Sequence, residues 1–188
     1  PARPPPPPPP PGPAPPPPPA APPAPPAAPG GPPRPTLTSA NSRKTELEQE
    51  LGAQFRSLDQ LLAEADFVCL VVPLSEKTKH LISHRELGLM KKSAILVNIS
   101  RGPVVDEPAL IEALQNGTIR GAGLDVYEKE PLSDSPLFQL KNAVTLPHIG
   151  SATHETREAM ANRALANLRS ALLGERPQDL VNPQVFKG

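Results

Sequence analysis

Apolar residues cluster in two short continuous runs, 67–72 (FVCLVV) and 94–98 (AILVN). Runs of this length, bounded by polar residues, predict β-strands buried on both faces, as in a parallel sheet. A glycine-rich strand is expected over 119–125, a further one over 143–146, and a short one over 36–40. Between these the spacing turns helical. Leu47 and Leu51 lie one turn apart within 42–51, and Gly52 follows as a stop. Ser57 is placed to cap a helix over 58–63, Ser83 one over 85–89, and Asp106 one over 109–115. Pro108 suits the first turn of that last helix and Gly117 its end. Thr153 opens a longer helix that ends near Gly174. Alternating strands and helices predict right-handed βαβ crossovers and a parallel sheet with helices on both faces: an α/β fold, incompletely doubly wound and Rossmann-like.

The first 35 residues break the pattern. They hold 23 of the 31 prolines of a 188-residue chain, with alanine and glycine as almost the only other residues. Polyproline favours the extended PPII helix, which has no internal hydrogen bonds and builds no core. Residues 1–35 are therefore expected to be a disordered, low-complexity tail, and 36–188 the folded part. The other reading of the tail is a ligand for an SH3, WW or profilin-type groove.

Charge narrows the partners. Setting aside Arg3 and Arg34 leaves 17 basic residues against 19 acids, so 36–188 carries a net charge of −2. With that balance, one Tyr, four Phe and no Trp, neither nucleic acid nor an anionic membrane surface is expected to bind. The single cysteine, Cys69, lies within the first apolar run and is expected to be a small buried hydrophobe. One cysteine gives no disulfide framework, which suits a reducing compartment. No stretch approaches the roughly 20 apolar residues of a membrane span, and residues 1–35 lack the apolar core of a signal peptide. A cytoplasmic location is the expectation.

In open parallel sheets ligands lie beyond the carboxyl ends of the strands, so the chemistry is sought there. The first predicted strand runs into Val72-Pro73-Leu74-Ser75 with Thr78 close behind, and the second ends in Asn98-Ile99-Ser100-Arg101-Gly102. The third ends in Leu124-Asp125-Val126 and leads to Glu130-Pro131, and the fourth ends in Leu146-Pro147-His148-Ile149-Gly150. Each polar residue alone reads as an ordinary loop residue. Together, at successive strand ends, Arg101, Glu130 and His148 match the needs of carbonyl reduction. A histidine titrates near neutral pH and can protonate a developing alkoxide. An arginine offers a planar two-pronged fork for a substrate carboxylate. A carboxylate beside a histidine favours its protonated form. The other histidines, His80, His84 and His154, sit in polar surroundings and are expected at the surface. No cluster has metal-ligand spacing.

Three segments, 98–106 (NISRGPVVD), 122–131 (AGLDVYEKEP) and 147–153 (PHIGSAT), resemble the signature segments of the D-isomer-specific 2-hydroxyacid dehydrogenase family. The wording of 146–157 (LPHIGSATHETR) is most similar to the glyoxylate/hydroxypyruvate reductase and 2-ketogluconate reductase branch. The resemblance runs from about Asn41 to Pro183. It implies that His148 is the proton donor, Glu130 its paired carboxylate and Arg101 the keto-acid ligand. It further implies that Asp125 contacts the nicotinamide amide and that Thr78, Ile99, Ser100, Arg101, His148 and Gly150 lie along the cofactor. A homodimer through the cofactor domains is also implied, as is a terminal helix that returns toward a substrate domain.

The segment where NAD-binding domains place an acid on the ribose hydroxyls reads Ser39-Ala40-Asn41-Ser42-Arg43-Lys44, without one. Arg43 could instead pair with a 2′-phosphate, so NADP(H) is favoured over NAD(H). No G-x-G-x-x-G turn occurs anywhere in the sequence. Two hypotheses follow. One is a reductase that converts a small 2-keto acid to the D-2-hydroxy acid, with the activity of this chain alone in question. The other is a non-catalytic half-domain with a Pro-rich partner-binding tail. Turnover and cofactor binding separate them.

Overall fold

The computed structural model describes residues 35–40 and 43–186. The Pro-rich segment through Arg34, with its expected disorder and groove-binding reading, lies outside the described residues.

Among the described residues, six strands, all parallel to their neighbours, form two sheets. A two-stranded sheet joins β1 (Leu37–Thr38) to β2 (Gln54–Phe55), with helix α1 (Thr45–Glu50) as the connection. A four-stranded sheet runs in the order β3 (Phe67–Leu70), β4 (Ile95–Asn98), β5 (Gly121–Leu124), β6 (Ala143–Thr145). Helix α2 (Leu58–Glu64) leads into β3, α3 (His84–Leu89) links β3 to β4, and α4 (Glu107–Gln115) links β4 to β5. A 3-10 turn at Pro136–Gln139 precedes β6, and α5 (His154–Leu172) follows it.

The predicted caps operate as expected. The Ser57 side chain accepts from the Gln60 N–H while Gln60 reaches back to the Ser57 N–H, and at α3 the Glu86 side chain likewise accepts the Ser83 N–H at 3.2 Å. Asp106 accepts from the Ala109 N–H, and Thr153 from the Thr156 N–H. Gly52, Gly117 and Gly174 close their helices at φ of 62°, 65° and 74°, a region that side chains with a Cβ rarely enter. The β2 strand was not foreseen: at two residues it is too short to show any periodicity.

The core lies on one side of the four-stranded sheet. Val68 and Leu70 of β3, Leu96 of β4 and Ala122 and Leu124 of β5 pack with Leu62, Leu87, Leu110 and Leu114 from α2, α3 and α4. This corrects two expectations. Strand β3 alternates exposed and buried positions instead of being covered on both faces, with Phe67 61% exposed and Val71, just beyond the strand, 71%. Cys69, on the same uncovered face, is exposed. The physical reason is that among the described residues no helix covers that second face. A continuous apolar run cannot by itself distinguish one covered face from two. Helix α5 buries none of its residues, and Met160, Leu165, Leu168 and Leu172 are exposed along it. It is tied to the segment that follows: Arg163 pairs with Asp179, and Asn167 donates to the same carboxylate at 2.7 Å. No helix of the described residues is long and apolar enough to cross a membrane.

Candidate active site

The carboxyl ends of β4, β5 and β6 carry Arg101, Glu130 and His148, the residues singled out in the sequence. β4 and β5 are held in register by the pairing Asn98↔Leu124, and β5 and β6 by Leu124↔Thr145, so the three strands end level with one another. The loops that leave them start side by side.

Asn98 organises the first loop. It is 1% exposed, and its side-chain oxygen accepts from both the N–H (3.1 Å) and the hydroxyl (3.0 Å) of Ser100. Its amide donates to the Arg101 carbonyl at 3.1 Å. This Asx-type turn replaces the ladder as the strand ends and fixes the backbone from which Arg101 projects. Arg101 is exposed, forms no ion pair among the described residues, and folds one guanidinium nitrogen back to the Ser100 carbonyl at 2.7 Å. Ile99 is 52% exposed beside it, while Ser100 is buried.

Glu130 and His148 meet. The His148 Nδ1 lies 2.6 Å from Glu130 Oε2, and Glu130 Oε1 accepts the Tyr127 N–H at 3.0 Å. Burial opposes the charge on Glu130. The His148 hydrogen bond, the Tyr127 N–H and the positive charges of His148 and Arg101 outweigh it and hold the carboxyl below its usual range. With Nδ1 engaged by a carboxylate, Nε2 is the ring atom left to hand a proton outward. His148 adopts a left-handed backbone, φ 55°. The loop tolerates this because Asp125 grips the next two residues: its two oxygens accept the Ile149 N–H at 2.8 Å and the Gly150 N–H at 2.9 Å. Tyr127 adds a tie between loops, its hydroxyl lying 2.7 Å from the Leu146 carbonyl.

Gly102 explains how the Arg101 and Glu130 loops fit together. A Cβ there would lie 1.8 Å from the backbone carbon and oxygen of Tyr127, so only glycine permits the approach. An apolar cavity of about 490 Å³ opens beside the Glu130–His148 pair, walled by Pro131, Leu132, Phe138 and Leu146.

The remaining predicted residues separate into two groups. Thr78 is buried, and its hydroxyl is taken up by the Pro73 carbonyl at 2.6 Å and the Ser75 N–H at 2.8 Å. Arg43 lies apart, beyond β1 in the two-stranded sheet, where it pairs with Glu48 at 2.6 Å and stacks 4.8 Å from the Phe55 ring centre. Asn98, Gly102 and Tyr127 were not singled out by sequence reasoning. Asn98 carried a usable signal, as a polar residue closing an apolar strand run. The role of Gly102 had none, since it depends on a segment 25 positions away.

A parallel α/β sheet with helical crossovers and polar loops gathered at its carboxyl edge is the architecture of a dinucleotide-binding domain. The chain belongs to the D-isomer-specific 2-hydroxyacid dehydrogenase family: residues 35–150 match that family's NAD-binding domain. It is 58% identical over 154 residues to glyoxylate/hydroxypyruvate reductase B of Serratia proteamaculans, an alignment covering 81% of this chain and 47% of that protein. Among solved structures, the TT0316 protein of Thermus thermophilus superposes with a TM-score of 0.72 at 45% identity, covering 78% of this chain and 46% of that one. D-lactate dehydrogenase of Aquifex aeolicus, complexed with NAD and lactic acid, superposes with a TM-score of 0.68 at 30% identity, covering 74% and 46%. The chain thus spans about half the length of the curated relatives it matches.

Proposed function

We propose that this chain carries the proton-transfer edge of a reductase that converts a small 2-keto acid of the glyoxylate or hydroxypyruvate type to the D-2-hydroxy acid, using NADPH or NADH. The observation that carries the reading is the 2.6 Å contact between His148 Nδ1 and Glu130 Oε2, with Arg101 at the adjoining strand end. Arg101 would hold the keto-acid carboxylate through its planar fork. His148 Nε2 would donate a proton to the carbonyl oxygen as negative charge develops there. Glu130 holds the imidazole in orientation by accepting its Nδ1–H, and that hydrogen stays on Nδ1 once Nε2 has given up its proton. The apolar walls of the adjoining cavity limit water around the reacting groups.

The residues fit the nicotinamide end of the cofactor. Ile99 presents an apolar side chain at the sheet edge, Gly150 lacks a Cβ, and the Asp125 carboxylate, already charged with two N–H bonds, offers remaining lone pairs. Reduced nicotinamide supplies the hydride. The pyrophosphate end has no matching glycine turn in this sequence. Preference for NADP(H) rests on the absence of an acid at 39–44 and on Arg43, whose partner Glu48 would have to yield it. The family resemblance supports a homodimer through this domain as the assembly.

The test is oxidation of NADPH and of NADH by the purified chain with glyoxylate or hydroxypyruvate, alongside cofactor-binding fluorescence. His148→Ala is expected to cost about 100-fold or more in turnover, well beyond any weakening of cofactor binding that the loss of its ring causes. Absence of both binding and turnover would sink the proposal for this chain.

A further inference from the structure

A second set of contacts lies next to the catalytic loops and is not explained by them. His80, in the turn between β3 and α3, has a left-handed backbone with φ 50°. A residue with a Cβ holds that conformation only when its surroundings impose it. The His80 N–H donates to the Pro103 carbonyl at 2.7 Å, on the turn that follows Arg101. Its Nε2 lies 2.7 Å from Glu128 Oε1. That oxygen also accepts the Glu107 N–H at 3.3 Å, while the Glu128 N–H donates to Glu107 Oε2 at 3.2 Å. Two carboxylates thus face one another at the start of α4, and burial, with the Glu128 charge adding to it, pushes Glu107 up. Asp106 lies beside them, bonded to the Ser83 hydroxyl at 2.8 Å. Among the described residues, His80 is the one side chain that pairs with Glu128 as a potential cation.

Glu128 lies two residues before Glu130 in the same loop. Gly102 sits against the Tyr127–Glu128 peptide, and the Tyr127 N–H is a ligand of Glu130. A continuous path therefore runs from His80 through Glu128 and Tyr127 to Glu130 and His148. We propose that His80 is a positioning residue, clamping Glu128 so that the Tyr127–Glu130 loop holds its carboxylate against His148. The role rests on the proton-donor reading above, but the clamp itself can be measured without cofactor, substrate or turnover.

The experiment follows the Glu130 side-chain carboxyl by carbon-13 NMR as pH is varied, in the full chain. In His80→Ala the Glu130 titration is expected to move upward by about half a pH unit, because the contacts that hold it low loosen. His80→Gln, which retains a donor able to reach Glu128, is expected to restore the low value. His80→Gly removes the ring and relieves the left-handed backbone together, and is expected to behave like His80→Ala. An unchanged Glu130 titration in His80→Ala, or a wild-type titration in His80→Gly, overturns the proposal. If His80→Ala does not fold, Glu128→Ala, which removes the acceptor, gives the same reading: an upward move supports the clamp, and an unchanged or lowered titration refutes it. A failed turnover assay leaves these outcomes untouched, and an unchanged titration leaves the reductase reading untouched.

Discussion

Gly102→Ala is the sharpest steric test of how the Arg101 and Glu130 loops fit together. The added Cβ would lie 1.8 Å from both the carbon and the oxygen of the Tyr127 carbonyl and 2.4 Å from the Glu128 nitrogen, where real Cβ contacts stay beyond 3.0 Å. One loop must therefore move by more than 1 Å, and the obstruction is backbone, which has no rotamer to escape into. Such a movement breaks the reciprocal Glu107–Glu128 bonds and shifts Arg101 away from Glu130. Overpacking of this kind, with the lost hydrogen bonds, amounts to roughly 3–5 kcal/mol. For a folded part of this size that is a fall in Tm of about 6–20 °C. Gly88→Ala is the matched control. Gly88 lies within α3, has no atom within 4 Å of an added Cβ and has no positive φ, so alanine there should stabilise by about 0.5–1 kcal/mol. Thermal and urea unfolding followed by circular dichroism measure both. A Gly102→Ala chain within about 1 kcal/mol of the parent would refute the close-approach argument.

Other consequences are open to measurement. The folded-state pKa of Glu130 is depressed below 4.5, so its contribution to stability is present above that value and is lost as pH falls through the folded pKa. Urea midpoints measured downward from pH 5 should accordingly fall less steeply for Glu130→Gln than for the parent, and an identical slope would show that the carboxylate is not held by its partners. Asp179, held down to about 2 by Arg163 and Asn167, should sustain the hold on α5 to lower pH still. Asp125→Asn replaces one acceptor oxygen by a donor facing the Ile149 or Gly150 N–H and should cost about 1.5–3 kcal/mol. It should also raise the Kd for the reduced cofactor; unchanged stability would mean the loop after His148 holds itself. Arg43→Ala should weaken NADPH binding and spare NADH, and equal effects on both would remove the basis for an NADP(H) preference.

Local rules made much of this protein legible before its fold. Ser57, Asp106 and Thr153 start helices because a side-chain oxygen can satisfy an N–H that the first turn leaves open, a matter of neighbours three residues apart. The apolar runs predicted β3 and β4, and strand alternation with helices predicted a parallel sheet whose carboxyl edge gathers Glu130 and His148. Which face of that sheet is covered was beyond such rules, because coverage belongs to whatever packs from elsewhere. Cys69 and Phe67 therefore came out exposed in a run that reads as buried. The closeness of Gly102 to Tyr127, the double grip of Asp125 on Ile149 and Gly150, and the His80–Glu128 contact join residues 24 to 48 positions apart. Elements and caps, and the candidate residues at the strand ends, were thus readable from local order along the chain. Their spacing was not, because distances between loops are set by the strand register beneath them and not by the order of residues.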